Sequence, residues 1–262
     1  MPQRTATAPT LSLVVPTYNE RDRLPDLVKA IFDAYQRGGV EGDLVIVDDN
    51  SPDGTGKVAD DLAARYPITV VHRAGKLGLG TAVVEGFNAS DAQIVGVIDA
   101  DLSHPPSLVP RMLDAMLDSG ADFVIGSRYI PGGGTGDWPL SRQLMSRFAC
   151  LLARGLTPVR DVTSGFFLVR RELARGATIS AGGFKICLEL LIRSAPRLVI
   201  EVPYVFQTRT AGQSKMNLKE ALGVLRELQG VAQSLGHRRS CGHRGEVQDG
   251  QGYRTRRRHP VE

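Results

Sequence analysis

The sequence predicts an α/β protein in which a mostly parallel sheet carries helices on both faces. Three observations lead there. From residue 11 to about residue 101, short apolar stretches alternate with segments of helical periodicity. Those short stretches (LSLVVP, DLVIVD, QIVGVI) are apolar throughout rather than alternating, as strands covered on both sides must be. Polar clusters then follow three of the strands, at residues 16–20, 48–50 and 99–101. Open parallel sheets bind ligands beyond the carboxyl ends of their strands, so the three clusters are expected on one rim.

The elements follow in order. LSLVVP is the first strand, and Leu24, Leu27, Val28, Ile31, Phe32 and Tyr35 recur at helical spacing after it. DLVIVDD is the second strand, closed by a Ser51-Pro52-Asp53-Gly54 turn and a helix to about residue 65, with Asp48 expected to cap that turn. ITVVH, a helix near residues 80–89 and QIVGVID continue the series. A helix over 108–118, the strand ADFVIGSR, a glycine-rich loop at 132–134 expected to be flexible, and a basic amphipathic helix over about 140–155 come next. TSGFFLVRRE reads as turn and strand, GGFKICLELLIRSA as helix, and RLVIEVPYVF as the last strand. A helix over 217–235 closes a single catalytic domain at 10–235, flanked by disordered segments at 1–9 and 236–262.

Composition narrows the function. The 262 residues carry a net charge of +4. Residues 237–262 alone hold seven arginines against three acidic residues, so the remainder is neutral overall and no nucleic-acid partner is expected. Cys150, Cys187 and Cys241 match no metal or redox spacing and read as incidental thiols of a reducing compartment. The first ten residues lack a signal peptide's apolar core, and no run approaches the roughly 18 apolar residues of a membrane span. The expected location is cytoplasmic.

The most informative stretch is VGVIDADLSHPP, where Asp99 and Asp101 follow an apolar run two residues apart. In an extended chain residues i and i+2 share a face, so two carboxylates would be presented together. Paired oxygens of this kind suit Mg²⁺ or Mn²⁺, which commonly share their ligands with substrate phosphates. His104, ahead of Pro105 and Pro106, reads as a packing or capping residue rather than a base. AGKLGLGTA has neither the spacing of a phosphate loop nor that of a dinucleotide fingerprint, which argues against P-loop enzymes and dehydrogenases.

Taken in order, VVPTYNE, VDDNSPDGT, GLGTA, IDADLSHPP, GSRY, TSGFF and VPYVFQTRTAGQSKMN resemble the family 2 inverting glycosyltransferases, and among them the dolichol-phosphate (polyprenol-phosphate) mannosyltransferases. The resemblance implies a GT-A fold, GDP-mannose as donor, a divalent cation, and dolichyl or polyprenyl phosphate in a membrane as acceptor. It also implies site residues. Pro16, Tyr18 and Glu20 would line the nucleotide pocket, with Val47 and Asp49 on base or ribose. Asp99, Ala100 and Asp101 would meet diphosphate and metal, and Arg128 would face the phosphates at the reacting centre. Lys185 would lie near the donor sugar, while Arg209 and Lys215 would close over the donor on the loop from 207 to 217. Arg142 and Ser146 would hold the acceptor phosphate.

Many such enzymes continue into membrane spans or lean on an anchoring partner subunit. This chain is instead expected to work peripherally at the cytoplasmic face, through amphipathic helices, the arginine-rich tail or such a partner. A polyprenyl-phosphate hexosyltransferase using a UDP-sugar, a nucleotidyltransferase and a non-catalytic nucleotide-binding subunit are the alternatives. The nucleotidyltransferase would want a basic glycine-rich loop where PTYNE stands, and the joint presence of Asp99, Asp101, Arg128, Arg209 and Lys215 speaks against a non-catalytic subunit.

Overall fold

A computed structural model describes residues 9–175, 186–207 and 246–249. Its centre is a sheet of eight strands in the order β3-β2-β1-β4-β6-β5-β7-β8. These are β1 (Leu11–Thr17), β2 (Gly42–Asp48), β3 (Ile68–His72), β4 (Ile94–Val97), β5 (Phe123–Ser127), β6 (Phe167–Arg170), β7 (Leu198–Pro203) and β8 (Glu246–Asp249). The helices are α1 (Leu24–Gly38), α2 (Thr55–Ala63), α3 (Leu79–Ala89), α4 (Val109–Ser119), α5 (Leu140–Ala153), α6 (Arg171–Arg175) and α7 (Ile186–Ser194), with a 3-10 turn at Pro106–Leu108.

Side-chain alternation builds two cores from one sheet, because successive residues of a strand face opposite sides. Leu11, Leu13 and Val15 of β1, with Leu44 and Ile46 of β2, meet α1, α2 and α4 on one face. Val14, Val45 and Val47 meet α3 on the other face, where Val199 and Phe123 also meet α7. Each fully buried Val, Leu or Ile contributes about 1.5–3 kcal/mol, so both faces need their helices.

The strands approach closely where the sequence has glycine. A Cβ on Gly96 in β4 would lie 2.5 Å from Leu168 Cδ2, 2.7 Å from Leu13 Cδ2 and 2.9 Å from the Phe167 carbonyl oxygen. Gly96→Ala is therefore expected to destabilise the domain by about 1–3 kcal/mol, read as a lower urea midpoint at an unchanged slope. An unchanged midpoint would show that the three strands can part without cost.

Three features differ from the sequence expectation. β6 runs antiparallel to both of its neighbours, β4 and β5, so the sheet is parallel except there among the described strands. β6 stops at Arg170, and Arg171–Arg175 form the short helix α6 where the strand was expected to run on to Glu172. Residues 246–249, expected to be without order, pair in parallel with β7 as β8. The helix expected over 217–235 lies outside the described residues. No helix among the described residues is long and apolar enough to cross a membrane.

Candidate active site

β1, β2 and β4 are mutually parallel, and β5 regains their direction through its antiparallel pairing with β6. Their C-terminal ends therefore share one edge, and the polar clusters meet there as expected. Pro16 and Val47 are register partners across β1 and β2, as are Thr17 and Asp48. Asp48 is a turn cap: it accepts from Thr17 Oγ1 at 3.1 Å, from the Ser51 amide at 3.0 Å and from Ser51 Oγ at 2.5 Å. Tyr18 is exposed and carries the Lys76 ammonium 3.8 Å above its ring. Glu20 pairs with Arg23 at 3.1 Å.

Two of the expected ligand contacts fall on residues with buried side chains. Val47 is fully buried in the core beneath α3, and Ala100 is packed into the opposite core, so neither side chain is open to a ligand. Asp49 is buried as well. It forms a buried ion pair with Arg73 and accepts the Gly78 amide at 3.1 Å. Arg73 spans this corner, bonding Glu85 at 2.9 Å and Thr81 at 2.6 Å as well. Sequence reasoning missed Arg73, although it directly follows a strand, like the clusters that were found.

Asp99 and Asp101 are brought together, but not by a strand. β4 ends at Val97, and a turn follows with Leu102 at φ +61°. Asp101 is buried and accepts the Ser103 amide at 3.0 Å, while the Asp99 side chain remains about one-third exposed. Their proximity comes from this Asp turn rather than from a shared strand face. His104 is 2% exposed, stacks on Phe166 at 5.2 Å, and accepts the Asp99 amide at its Nδ1 at 3.3 Å. It props the turn from within the core, in agreement with its expected packing role.

The donor set fits a divalent cation. Asp99 and Asp101 offer hard carboxylate oxygens, and Gly165 packs against Asp99. A Cβ at Gly165 would stand 3.4 Å from both Asp99 carboxylate oxygens, so glycine leaves that approach uncovered. Among the described residues no three His, Cys, Asp or Glu side chains converge into a protein-only cage. Two carboxylates without a third fit a cation whose other ligands are phosphate oxygens and water.

Arg128, its guanidinium expected to face the phosphates, is held by a carboxylate. Its Nε and Nη2 each donate to Asp161 at 2.7 Å, Nη2 also reaches Thr163 Oγ1 at 2.9 Å, and its amide donates to Asp161 at 2.9 Å. Asp161 is fully buried. Burial disfavours the charge on Arg128, but the adjacent Asp161 carboxylate outweighs it and raises the guanidinium's pKa. Arg128 thus organises the rim from below. Thr163 carries the network to Ser146 Oγ at 3.1 Å, and the Asp161 and Arg160 amides are held by Glu201 at 3.1 and 2.9 Å. Sequence reasoning missed Asp161 and Thr163, though Thr163 opens the TSGFF segment that was singled out and Asp161 stands two residues before it.

The acceptor-side expectations fall next to this network. Arg142 lies over the Trp138 ring at 3.7 Å, and Trp138 is itself packed on Phe206 at 4.9 Å. Ser146 is buried on the inner face of α5. The glycine-rich loop is pinned rather than flexible. The Gly134 amide donates to the Tyr204 carbonyl at 3.0 Å, and the Phe206 amide donates back to Gly134 at 2.9 Å. The Gln207 amide donates to the Ser103 carbonyl at 3.0 Å, tying the end of this segment to the carboxylate turn. Lys185, Arg209, Lys215 and the loop expected to close over the donor lie outside the described residues. Cys150 and Cys187 are buried, and burial holds both thiols protonated, the first at a pKa of about 11.

This sheet, with a carboxylate pair beyond its C-terminal edge, is the GT-A fold of glycosyltransferases. Glucosyl-3-phosphoglycerate synthase from Mycobacterium tuberculosis, solved with Mn²⁺, UDP and glucosyl-3-phosphoglycerate, superposes with a TM-score of 0.61 at 21% identity, covering 86% of this chain and 79% of that one. The sequence model of Glycosyl transferase family 2 matches residues 12–176, and the chain belongs to that family. Dolichol-phosphate mannosyltransferase of Pyrococcus furiosus is 39% identical over 222 residues, which is 83% of this chain and 62% of that protein. Polyprenol monophosphomannose synthase of Mycolicibacterium smegmatis is 39% identical over 225 residues, 80% of this chain and 83% of that protein. The chain thus spans less than two-thirds of the length of the Pyrococcus relative.

Proposed function

We propose that this protein transfers mannose from GDP-mannose to the phosphate of a dolichyl or other polyprenyl phosphate. One observation carries the reading. The carboxylate turn shares its sheet edge with the Arg128–Asp161–Thr163 network, and α5 sets Arg142 and Ser146 beside that network while exposing Leu140, Leu144, Phe148 and Leu151. An anion site roofed by a helix with outward apolar side chains suits an acceptor that is a phosphate on a lipid. The names of the two relatives agree with this.

The chemistry asks little of the protein beyond position and charge. A phosphate monoester has its second pKa near 6, so the acceptor oxygen is already a nucleophile at neutral pH. It attacks the anomeric carbon from the face opposite the leaving group. The carbon–oxygen bond to GDP breaks, GDP departs with the electron pair, and the configuration inverts. No general base is required, which suits the burial of His104 under the turn. Arg142 and Ser146 would orient the acceptor phosphate, and Tyr18 with Lys76 would cover the nucleotide. Asp99 and Asp101 would hold Mg²⁺ or Mn²⁺, which when bound supplies positive charge for the departing diphosphate.

Transfer of radiolabelled sugar to polyprenyl phosphate, offered from GDP-mannose, UDP-glucose and UDP-GlcNAc with Mn²⁺ or Mg²⁺, tests the proposal. Label should move from GDP-mannose alone, and transfer only from a UDP-sugar would reassign the donor. A binding measurement gives an independent check. With Mn²⁺ present, GDP at about 100 times its Kd is expected to stabilise the fold by about 2.7 kcal/mol, seen as a raised Tm. UDP protecting where GDP does not would overturn the guanine assignment.

A further inference from the structure

Between β1 and α1 the chain crosses the rim as Tyr18-Asn19-Glu20-Arg21, outside any strand or helix. Backbone amides in such a stretch have no ladder to bond to, and on a surface loop water ordinarily takes them. Here three in succession are taken by side chains of the turn that follows β2. The Asn19 amide donates to Ser51 Oγ at 3.0 Å, the Glu20 amide to Thr55 Oγ1 at 3.0 Å, and the Arg21 amide to Asp53 Oδ2 at 3.2 Å. The partners are 32 to 35 residues apart, so the fold makes this clasp and no local turn does.

The acceptors are themselves oriented. Thr55 is fully buried and donates its hydroxyl to Asp53 Oδ1 at 2.6 Å, which leaves its lone pairs for the Glu20 amide. Ser51 donates to Asp48 Oδ1 at 2.5 Å, and Asp48 in turn accepts Thr17 Oγ1 from β1 at 3.1 Å. Burial pushes the Asp53 carboxyl up, but the hydroxyl and amide of Thr55 and the Arg21 amide outweigh it and hold its pKa below the usual carboxylate range. Both segments also carry a residue at positive φ, Asn19 at +61° and Asn50 at +56°. Such a backbone persists where the contacts around it enforce it.

We propose that Ser51, Asp53 and Thr55 are positioning residues for the donor nucleotide, acting through the backbone at 19–21 on the Tyr18 and Glu20 side chains. Tyr18 is exposed, so its direction is set by the backbone that carries it. A ligand that must first order its own binding loop loses affinity in proportion to the time the loop spends unready. The clasp removes that penalty beforehand, without any of its three side chains touching the nucleotide. The inference rests on the reading of this rim as the donor site, and its test separates the two.

GDP binding with Mn²⁺ is measured by calorimetry on the full-length protein, alongside initial rates and amide hydrogen exchange. Thr55→Val keeps the shape and loses the hydroxyl. It should raise the GDP Kd and the donor KM about tenfold, equivalent to about 1.4 kcal/mol, and leave the acceptor KM within about twofold. Exchange at residues 19–21 should quicken with it. Thr55→Ser restores the hydroxyl and should bind GDP within about twofold of wild type. Ser51→Ala, at a partly exposed position, should weaken GDP about threefold and carries the test if Thr55→Val does not fold. Equal rises in both KM values would overturn the inference, and so would Thr55→Ser binding as poorly as Thr55→Val. Wild-type GDP affinity kept intact in folded Thr55→Val and Ser51→Ala would overturn it while the donor reading stands. Wild-type protein that binds neither GDP nor UDP would end the donor reading and this inference with it.

Discussion

Asp101→Asn is expected to reduce sugar transfer by more than about a hundredfold, or about 2.7 kcal/mol of transition-state stabilisation, while the protein melts close to wild type. The argument separates two jobs of one side chain. Asp101 accepts the Ser103 amide, which fixes the turn after β4, and an asparagine carbonyl can accept the same bond. What asparagine lacks is the negative charge for a divalent cation. Asp101→Ala removes both and should lose activity together with about 1 kcal/mol of stability from the vacated bond. Asp99→Asn should be milder structurally, because that side chain is one-third exposed. The measurements are initial rates over a Mn²⁺ titration and urea unfolding of each variant. Near-normal transfer by folded Asp101→Asn with EDTA present would remove the cation from the proposed reaction.

Much of this architecture can be read from the chain, and what cannot has identifiable causes. The parallel strands are legible because burial on both faces demands uninterrupted apolar runs, as in Leu13-Val14-Val15 and Leu44-Val45-Ile46-Val47. The direction of β6 is not, since Phe167-Leu168-Val169 is equally apolar whichever way it runs. The carboxylate pair is legible by composition, but its geometry is not: the strand stops at Val97 and an Asp turn does the positioning. A motif also cannot say which of its residues points inward. Val47 and Ala100 lie within segments that match the family, and both side chains are packed in the cores. The helical pattern of α5 predicts amphipathicity but not orientation. Its buried face is Ser146, Cys150 and Ala153, with the leucines and Phe148 outside, the reverse of an ordinary surface helix. Long-range polar pairs are the least legible. Arg128 and Asp161 lie 33 residues apart, and only the fold shows that the expected phosphate ligand already has a carboxylate.

That pairing leads to the largest expected effect on stability. Asp161→Ala leaves the Arg128 guanidinium buried beside Thr163 without its counter-charge. Arginine cannot relieve this by losing a proton, so the full desolvation cost remains. A loss of about 3–5 kcal/mol is expected in urea unfolding, a large share of the stability of an ordinary domain. Arg128→Met strands the carboxylate instead. Asp161 then keeps the residue 128 amide and Thr163 as donors, so this loss should be the smaller of the two. The double variant Arg128→Met/Asp161→Leu should recover much of the stability, because replacing both charges by apolar groups leaves nothing unpaired. Activity should not recover with it. Thr163 is positioned by both members of the pair and in turn touches Ser146, so the well-folded double variant should show a raised KM for the acceptor at an unchanged KM for the donor. Single variants each costing less than about 1 kcal/mol would mean that water reaches this pair and that it does not hold the rim. A double variant that is stable and has an unaltered acceptor KM would confine the pair to folding and remove it from the acceptor site.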